Sequence, residues 1–156
     1  MMKKNIYMAG TLLAILFTLC TPERSPIDYG LDKCHYCKMA IVDQRFGCEL
    51  VTSKGKVYKF DATECLVHFM DTRAVPIDEV AMLLTNTFDK PGELVHVDHC
   101  YFLQSENMPS PMGRYINPFS EKNLAMEYKE SQSGSIYQWK ELTDHVGKEY
   151  QFPENR

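Results

Sequence analysis

Two short β-like runs, Phe46 to Thr52 and Lys56 to Phe60, are joined by Ser53, Lys54 and Gly55 and followed at once by Asp61, Ala62, Thr63 and Glu64. A three-residue link containing Gly closes a hairpin. Asp-x-x-Glu ahead of Cys65, Leu66, Phe69 and Met70 reads as a capping box that opens a helix. The middle of the chain is thereby committed to a ββα unit. The same order of glycine, strand, phenylalanine, cap and helix returns later, in Gly113 to Ser120 as in Gly55 to Asp61, with one extra residue between Gly and Phe in the second copy. An internal repeat of this kind predicts two related units packed on each other.

The remaining segments complete an α+β reading. Pro76 to Leu84 reads as a short helix, Leu94 to Leu103 as a strand, and Asn107 to Gly113 as a Pro-rich loop ahead of Arg114 to Phe119. Ser120 caps a helix through Leu124 and Tyr128 to about Gly134. Ser135 to Gln138 is a short strand, and Trp139 to Val146 a closing helix. The expected fold is a single small α+β domain built from two ββα-type units, after an N-terminal signal and tether.

That signal is residues 1–19. Lys3 and Lys4 form a charged start, Ile6 to Leu19 an apolar run of fourteen residues, and Cys20 follows directly. This is the order of an export signal, and the run is shorter than the ~20 residues a spanning helix needs. A Cys directly after such a run resembles the lipobox of bacterial lipoproteins, in which that Cys is acylated. Leu19 stands where the box usually has Gly, Ala or Ser. Residues 20–31, with Pro26 and Gly30, read as a lipid anchor and tether, residues 32–150 as the folded domain and 151–156 as a tail. Without residues 1–19 the chain carries 15 basic against 21 acidic residues, a formal charge of −6, which excludes nucleic acid as a partner.

Six cysteines occur, at 20, 34, 37, 48, 65 and 100. Exported chains often spend cysteines on disulfides, but a domain of this size buries enough core without them. Cys48 and Cys100 lie in strand-like segments and read as small buried hydrophobes. Cys34 and Cys37 are different: a Cys-x-x-Cys turn brings two thiols to chelating distance, and Met39, two residues on in an extended segment, points to the same face as Cys37. Met112 sits on the Ser110-Pro111-Met112-Gly113 turn, where loops usually present polar groups. Thiolates suit several metals, whereas thioethers single out Cu(I). Cys37, Met39, Met112 and Cys34 are therefore the candidate ligands.

The histidines contribute less. His35 reads as a solvated turn residue, and the pair is not a haem attachment motif, because residue 38 is Lys. His96 and His99, three apart on a strand, are expected on opposite faces. His68 and His145 fall on helices. A zinc site would need Cys65 with Asp61 or His68, since no second Cys-x-x-Cys exists.

Cys34, Cys37-Lys38-Met39, Asp43 to Gly47, Lys54 to Asp61 and Ser110 to Gly113 together resemble the NosL family, accessory lipoproteins of nitrous oxide reductase assembly, over about residues 32–142. The resemblance implies ββα repeats like those of an organomercurial lyase, and a Cu(I) chaperone outside the cytoplasm that helps supply copper to the reductase. Cys37, Met39 and Met112 fall on the family's sulfur positions. Cys34 is extra, and Lys38 replaces a common Gly whose backbone freedom Lys lacks. The front half also resembles the TRASH or YHS metal-binding pattern. Cys65 matches its helical Cys, and Asp61 stands where another Cys would be.

The expected role is metal transfer, not catalysis. No Ser/His/Asp set, phosphate loop or carboxylate pair stands out. A membrane tether would let the domain meet the reductase or its assembly machinery at the periplasmic side. Two other readings remain: a thiol-disulfide oxidoreductase using Cys34 and Cys37, and a structural zinc lipoprotein that metal removal would unfold.

Overall fold

The computed structural model describes residues 21–149, so the signal segment, Cys20 and the tail at 151–156 lie outside the described residues. The predicted hairpin forms from β1 (Cys48–Thr52) and β2 (Val57–Phe60), paired antiparallel from Cys48↔Phe60 to Val51↔Val57. Gly55 turns it with φ 78°, a backbone state that a Cβ disfavours. Every residue of β1 is buried, which marks it as a central strand covered on both faces.

The helix after the hairpin is α1 (Thr63–Asp71), and it opens without the predicted capping box. Ala62 holds the N-cap position in extended conformation, which leaves Asp61 one residue too early. Glu64 is turned into the interior, where the Ser110 hydroxyl bonds to it. Burial of Cys65, Leu66 and Val67 stabilises the helix in place of a cap.

Two expected elements change. Pro76 to Leu84 is not a helix: one 3-10 turn at Ile77–Glu79 leads into β3 (Val80–Thr85), which pairs with β1 through Leu50↔Leu83 and Glu49↔Leu84. The open edge of a fully buried β1 demands a partner, and that pairing overrides local helical pattern. Leu94 to Leu103 is not one strand either. Val95–His96 forms β4 against β3, a 3-10 turn follows at Val97–His99, and Tyr101–Gln104 forms β5 in a second sheet. The turn buries both Val97 and Cys100, which a continuous strand would place on opposite faces.

The second unit repeats the first. β6 (Ile116–Phe119) pairs with β5, α2 (Lys122–Gln132) follows, and β7 (Ser135–Tyr137) returns to the other side of β5. The sheet orders, β2-β1-β3-β4 and β6-β5-β7, share one connectivity, so each unit is ββαβ with its first strand in the middle. Phe60 and Phe119 end the two hairpins at matching places, opposite Cys48 and Tyr101, and both are fully buried. Ser120 does not cap α2, because its amide and hydroxyl both bond to the Asp89 carboxylate; Glu121 takes the N-cap position. Gly134, at φ 112°, ends the helix turn where an added Cβ would lie 2.1 Å from the Gln104 carbonyl oxygen.

The last helix, α3 (Trp139–Glu149), places Trp139, Leu142 and Val146 in a core cluster that also holds Phe60, Leu66, Phe102 and Ile116. The two units therefore share one interior, and the fold is the expected small α+β domain. Among the described residues no helix is long and apolar enough to cross a membrane.

Candidate metal centre

Residues 30–42 form a short ribbon folded back on itself. Lys33 bridges Ala40, and the Gly30 and Ile41 amides donate to Ile41 and Asp32 carbonyls. At its tip the Cys34 amide donates to the Met39 carbonyl, the Lys38 amide to the Cys34 carbonyl, and the Cys37 amide points at the Cys34 sulfur at 3.5 Å. Lys38 takes φ 68°, the left-handed state that Gly adopts freely. It does so with its Nζ bonded to the His35 carbonyl oxygen at 2.5 Å. This conformation breaks the extended backbone on which the shared face of Cys37 and Met39 was argued.

The ribbon docks on the outer edge of β2. The His35 amide donates to the Lys59 carbonyl at 2.8 Å, and the Lys59 amide donates to His35 Nδ1 at 3.0 Å. His35 is thus more than the solvated turn residue expected from sequence. An amide donating to Nδ1 requires that nitrogen to be unprotonated.

Docking brings the tip over the start of α1, where the sulfurs of Cys34, Cys37 and Cys65 all lie within 4.8 Å of one another. Cys34 and Cys65 are fully buried and Cys37 half-buried, so the cluster has one open side. Sequence reasoning kept Cys34 and Cys37 but set Cys65 aside for want of a second cysteine pair. The signal that could have kept it was the helical Cys of the TRASH-like pattern.

The three thiols share charge unequally. Cys34 is held far below the usual thiol value, to about 5, chiefly because the Cys65 thiol hydrogen-bonds to it, with the Asp61, Cys37 and Tyr36 amides adding to this against burial. The same contact, with burial, drives the Cys65 thiol upward, and burial raises Cys37. Among the three thiols the negative charge is therefore favoured on Cys34. Asp61 lies buried beside it and is pushed up to about 6, first by burial and then by the Cys34 charge.

The two methionines differ in exposure. Met39 is 47% exposed, and its backbone serves the turn. Met112 is half-buried against the core cluster that contains Cys34 and Cys65. Its loop is fastened to α1 by the Ser110 hydroxyl, which donates to the Glu64 carboxylate while accepting the Tyr115 amide at 2.8 Å. Glu64 immediately precedes Cys65 in the helix, so one buried carboxyl ties the Met112 loop to a cluster thiol's own turn.

The remaining cysteines and histidines are not members of the cluster among the described residues. Cys48 and Cys100 are buried and pushed up to about 12 by burial, as expected of inert thiols. All five described cysteines are free. His68 is buried, stacked on Tyr36 at 5.6 Å, and burial lowers its pKa. His145 stacks on Tyr137 at 4.8 Å and bonds Gln104 through Nε2. His96 and His99 are not on opposite faces: the 3-10 turn brings their rings to 5.9 Å.

No curated protein matches the chain. The crystal structure of the copper chaperone NosL from Shewanella denitrificans is similar in fold, with a TM-score of 0.68 and 24% identity over 79% of this chain and 97% of that one. Residues 29–146 match the NosL family, and over that span of two ββαβ units and the thiol cluster the chain belongs to it.

Proposed function

We propose that the protein is an exported Cu(I) chaperone that supplies copper for the assembly of nitrous oxide reductase, anchored at the periplasmic face of a membrane through a lipid on Cys20. The observation that carries this reading is the buried cluster of Cys34, Cys37 and Cys65 in a NosL-family chain. Three sulfurs suit Cu(I), a soft ion content with few ligands, better than zinc, whose structural sites take four. No fourth His, Cys, Asp or Glu joins the group among the described residues.

In this reading the Cys34 thiolate and the two neighbouring sulfurs hold the ion, and Met112 closes the site from the loop tied to Glu64. Binding displaces protons from Cys37 and Cys65, so affinity falls as pH drops. Cys37 lines the open side, and exposed Met39 is the first sulfur an incoming or departing ion meets. A partner presenting its own soft ligand there exchanges copper stepwise without releasing it to water. The thiol-disulfide reading is disfavoured, because the activated Cys34 is only 1% exposed and opens no helix.

The test is a competition titration of the reduced protein with Cu(I) and Zn(II), repeated with Cys65→Ser, Met112→Leu and Met39→Leu. Cu(I) should be preferred, and Cys65→Ser and Met112→Leu should each weaken it at least tenfold, while Met39→Leu should slow transfer more than it weakens binding. Preference for zinc, or full Cu(I) affinity without Met112, would overturn this site. Maturation of nitrous oxide reductase in cells with and without the chain tests the recipient.

A further inference from the structure

His96 precedes the 3-10 turn Val97–His99 as its N-cap residue, and His99 ends it. In a 3-10 turn, side chains three apart eclipse instead of diverging. The two imidazoles accordingly stand side by side, with centroids 5.9 Å apart and planes tilted by 59°. Both residues are exposed, and neither ring nitrogen has a hydrogen-bond or ion-pair partner among the described residues. With metal to nitrogen bonds of about 2.0 Å, two imidazoles sharing one ion place their centroids roughly 5 to 6.5 Å apart.

We propose that His96 and His99 form a second metal site, an imidazole pair that takes a divalent transition ion of the Cu(II) type. Nitrogen donors favour Cu(II) over its divalent neighbours, whereas the thiol cluster favours the monovalent ion. His96 also lines a hollow whose walls include Glu23 and Met82, a carboxylate and a thioether. Arg24 lines the same hollow, but its guanidinium is bonded to the Leu94 carbonyl at 2.8 Å. Among the described residues no third His, Cys, Asp or Glu joins the two imidazoles within 4.8 Å, which leaves the remaining coordination positions to water. The turn is held by burial of Val97 and Cys100 on either side, so the pair sits on a rigid base.

The site stands independently of the Cu(I) reading, and its test uses Ni(II), which thiols do not reduce. The imidazole resonances of the purified protein are followed by NMR as Ni(II) is added. Saturable broadening should strike His96 and His99 together, while His35 and His68, near the thiol cluster, and His145 stay sharp. His96→Asn and His99→Asn, both exposed changes checked for folding by circular dichroism, should each weaken Ni(II) at least tenfold. With the thiol cluster first filled with Cu(I), Cu(II) should then give an electron paramagnetic resonance spectrum with coupling to two nitrogens, lost in either variant. Broadening confined to His35 and His68, or an affinity at His99 that survives His96→Asn, would overturn the proposal.

Discussion

Ser110→Ala isolates the link between the Met112 loop and the helix that carries Cys65. The Ser110 hydroxyl is a side-chain hydrogen-bond partner of Glu64 Oε1, beside the backbone amides of Glu64, Ile116 and Arg114 that also bear on the carboxyl. Removing the hydroxyl takes one hydrogen bond from a fully buried carboxyl, at a cost of about 1–3 kcal/mol, and frees the Tyr115 amide as well. For a domain of this size each kcal/mol lowers Tm by roughly 3–5 °C, so melting followed by circular dichroism should fall by about 5–12 °C. Burial raises the Glu64 pKa above its ordinary 4.5. A raised folded pKa means that stability is greatest below 4.5 and declines as pH rises through the folded value. Glu64→Gln keeps an acceptor for Ser110 and cannot ionise, so it should flatten that decline and preserve Cu(I) affinity, whereas Ser110→Ala should weaken Cu(I) about tenfold by loosening Met112. A Ser110→Ala protein that melts within a degree of wild type and binds Cu(I) unchanged would refute the reasoning.

Lys38→Gly removes a left-handed strain of roughly 1–2 kcal/mol at φ 68°, partly offset by the freedom Gly regains on unfolding. The net expectation is a gain of up to about 1 kcal/mol, read from denaturant midpoints. The depressed Cys34 value implies a thiolate that persists in the reduced apo protein as pH falls to about 5. Its contribution to stability is complete above the ordinary thiol value and is lost through that lower one. Thiolate ultraviolet absorbance should titrate accordingly and disappear in Cys34→Ser.

Local pattern carried the parts of the fold that depend on local chemistry. The Ser53 to Gly55 turn, the echo between Gly55 to Asp61 and Gly113 to Ser120, and the helices after each hairpin are readable because turn residues and apolar spacing decide them. β3 was not, since Val80 to Thr85 becomes a strand only because β1 offers a buried edge. The break at Val97 was invisible for the same reason, because a change of sheet is a tertiary event. Both caps failed on competition: Glu64 and Ser120 found partners more distant in sequence than their own helix ends.

The candidate site shows the same division. Cys34 and Cys37 are legible from spacing, because a two-residue gap brings thiols together whatever follows. Cys65 joins them only through packing of the ribbon over α1, which spacing cannot express. The face assigned to Met39 rested on regular alternation, and the single left-handed residue Lys38 interrupts it.

The clamp of His35 on Lys59 has a consequence for solubility. β2 is the outermost strand of its sheet, and an uncovered outermost strand invites another chain to add to it. The segment that carries Cys34 and Cys37 occupies that border with its own backbone and imidazole. The piece of chain that presents the cluster thiols is therefore also a guard against self-association, and damage to it would be felt as clumping as well as a disturbed thiol cluster.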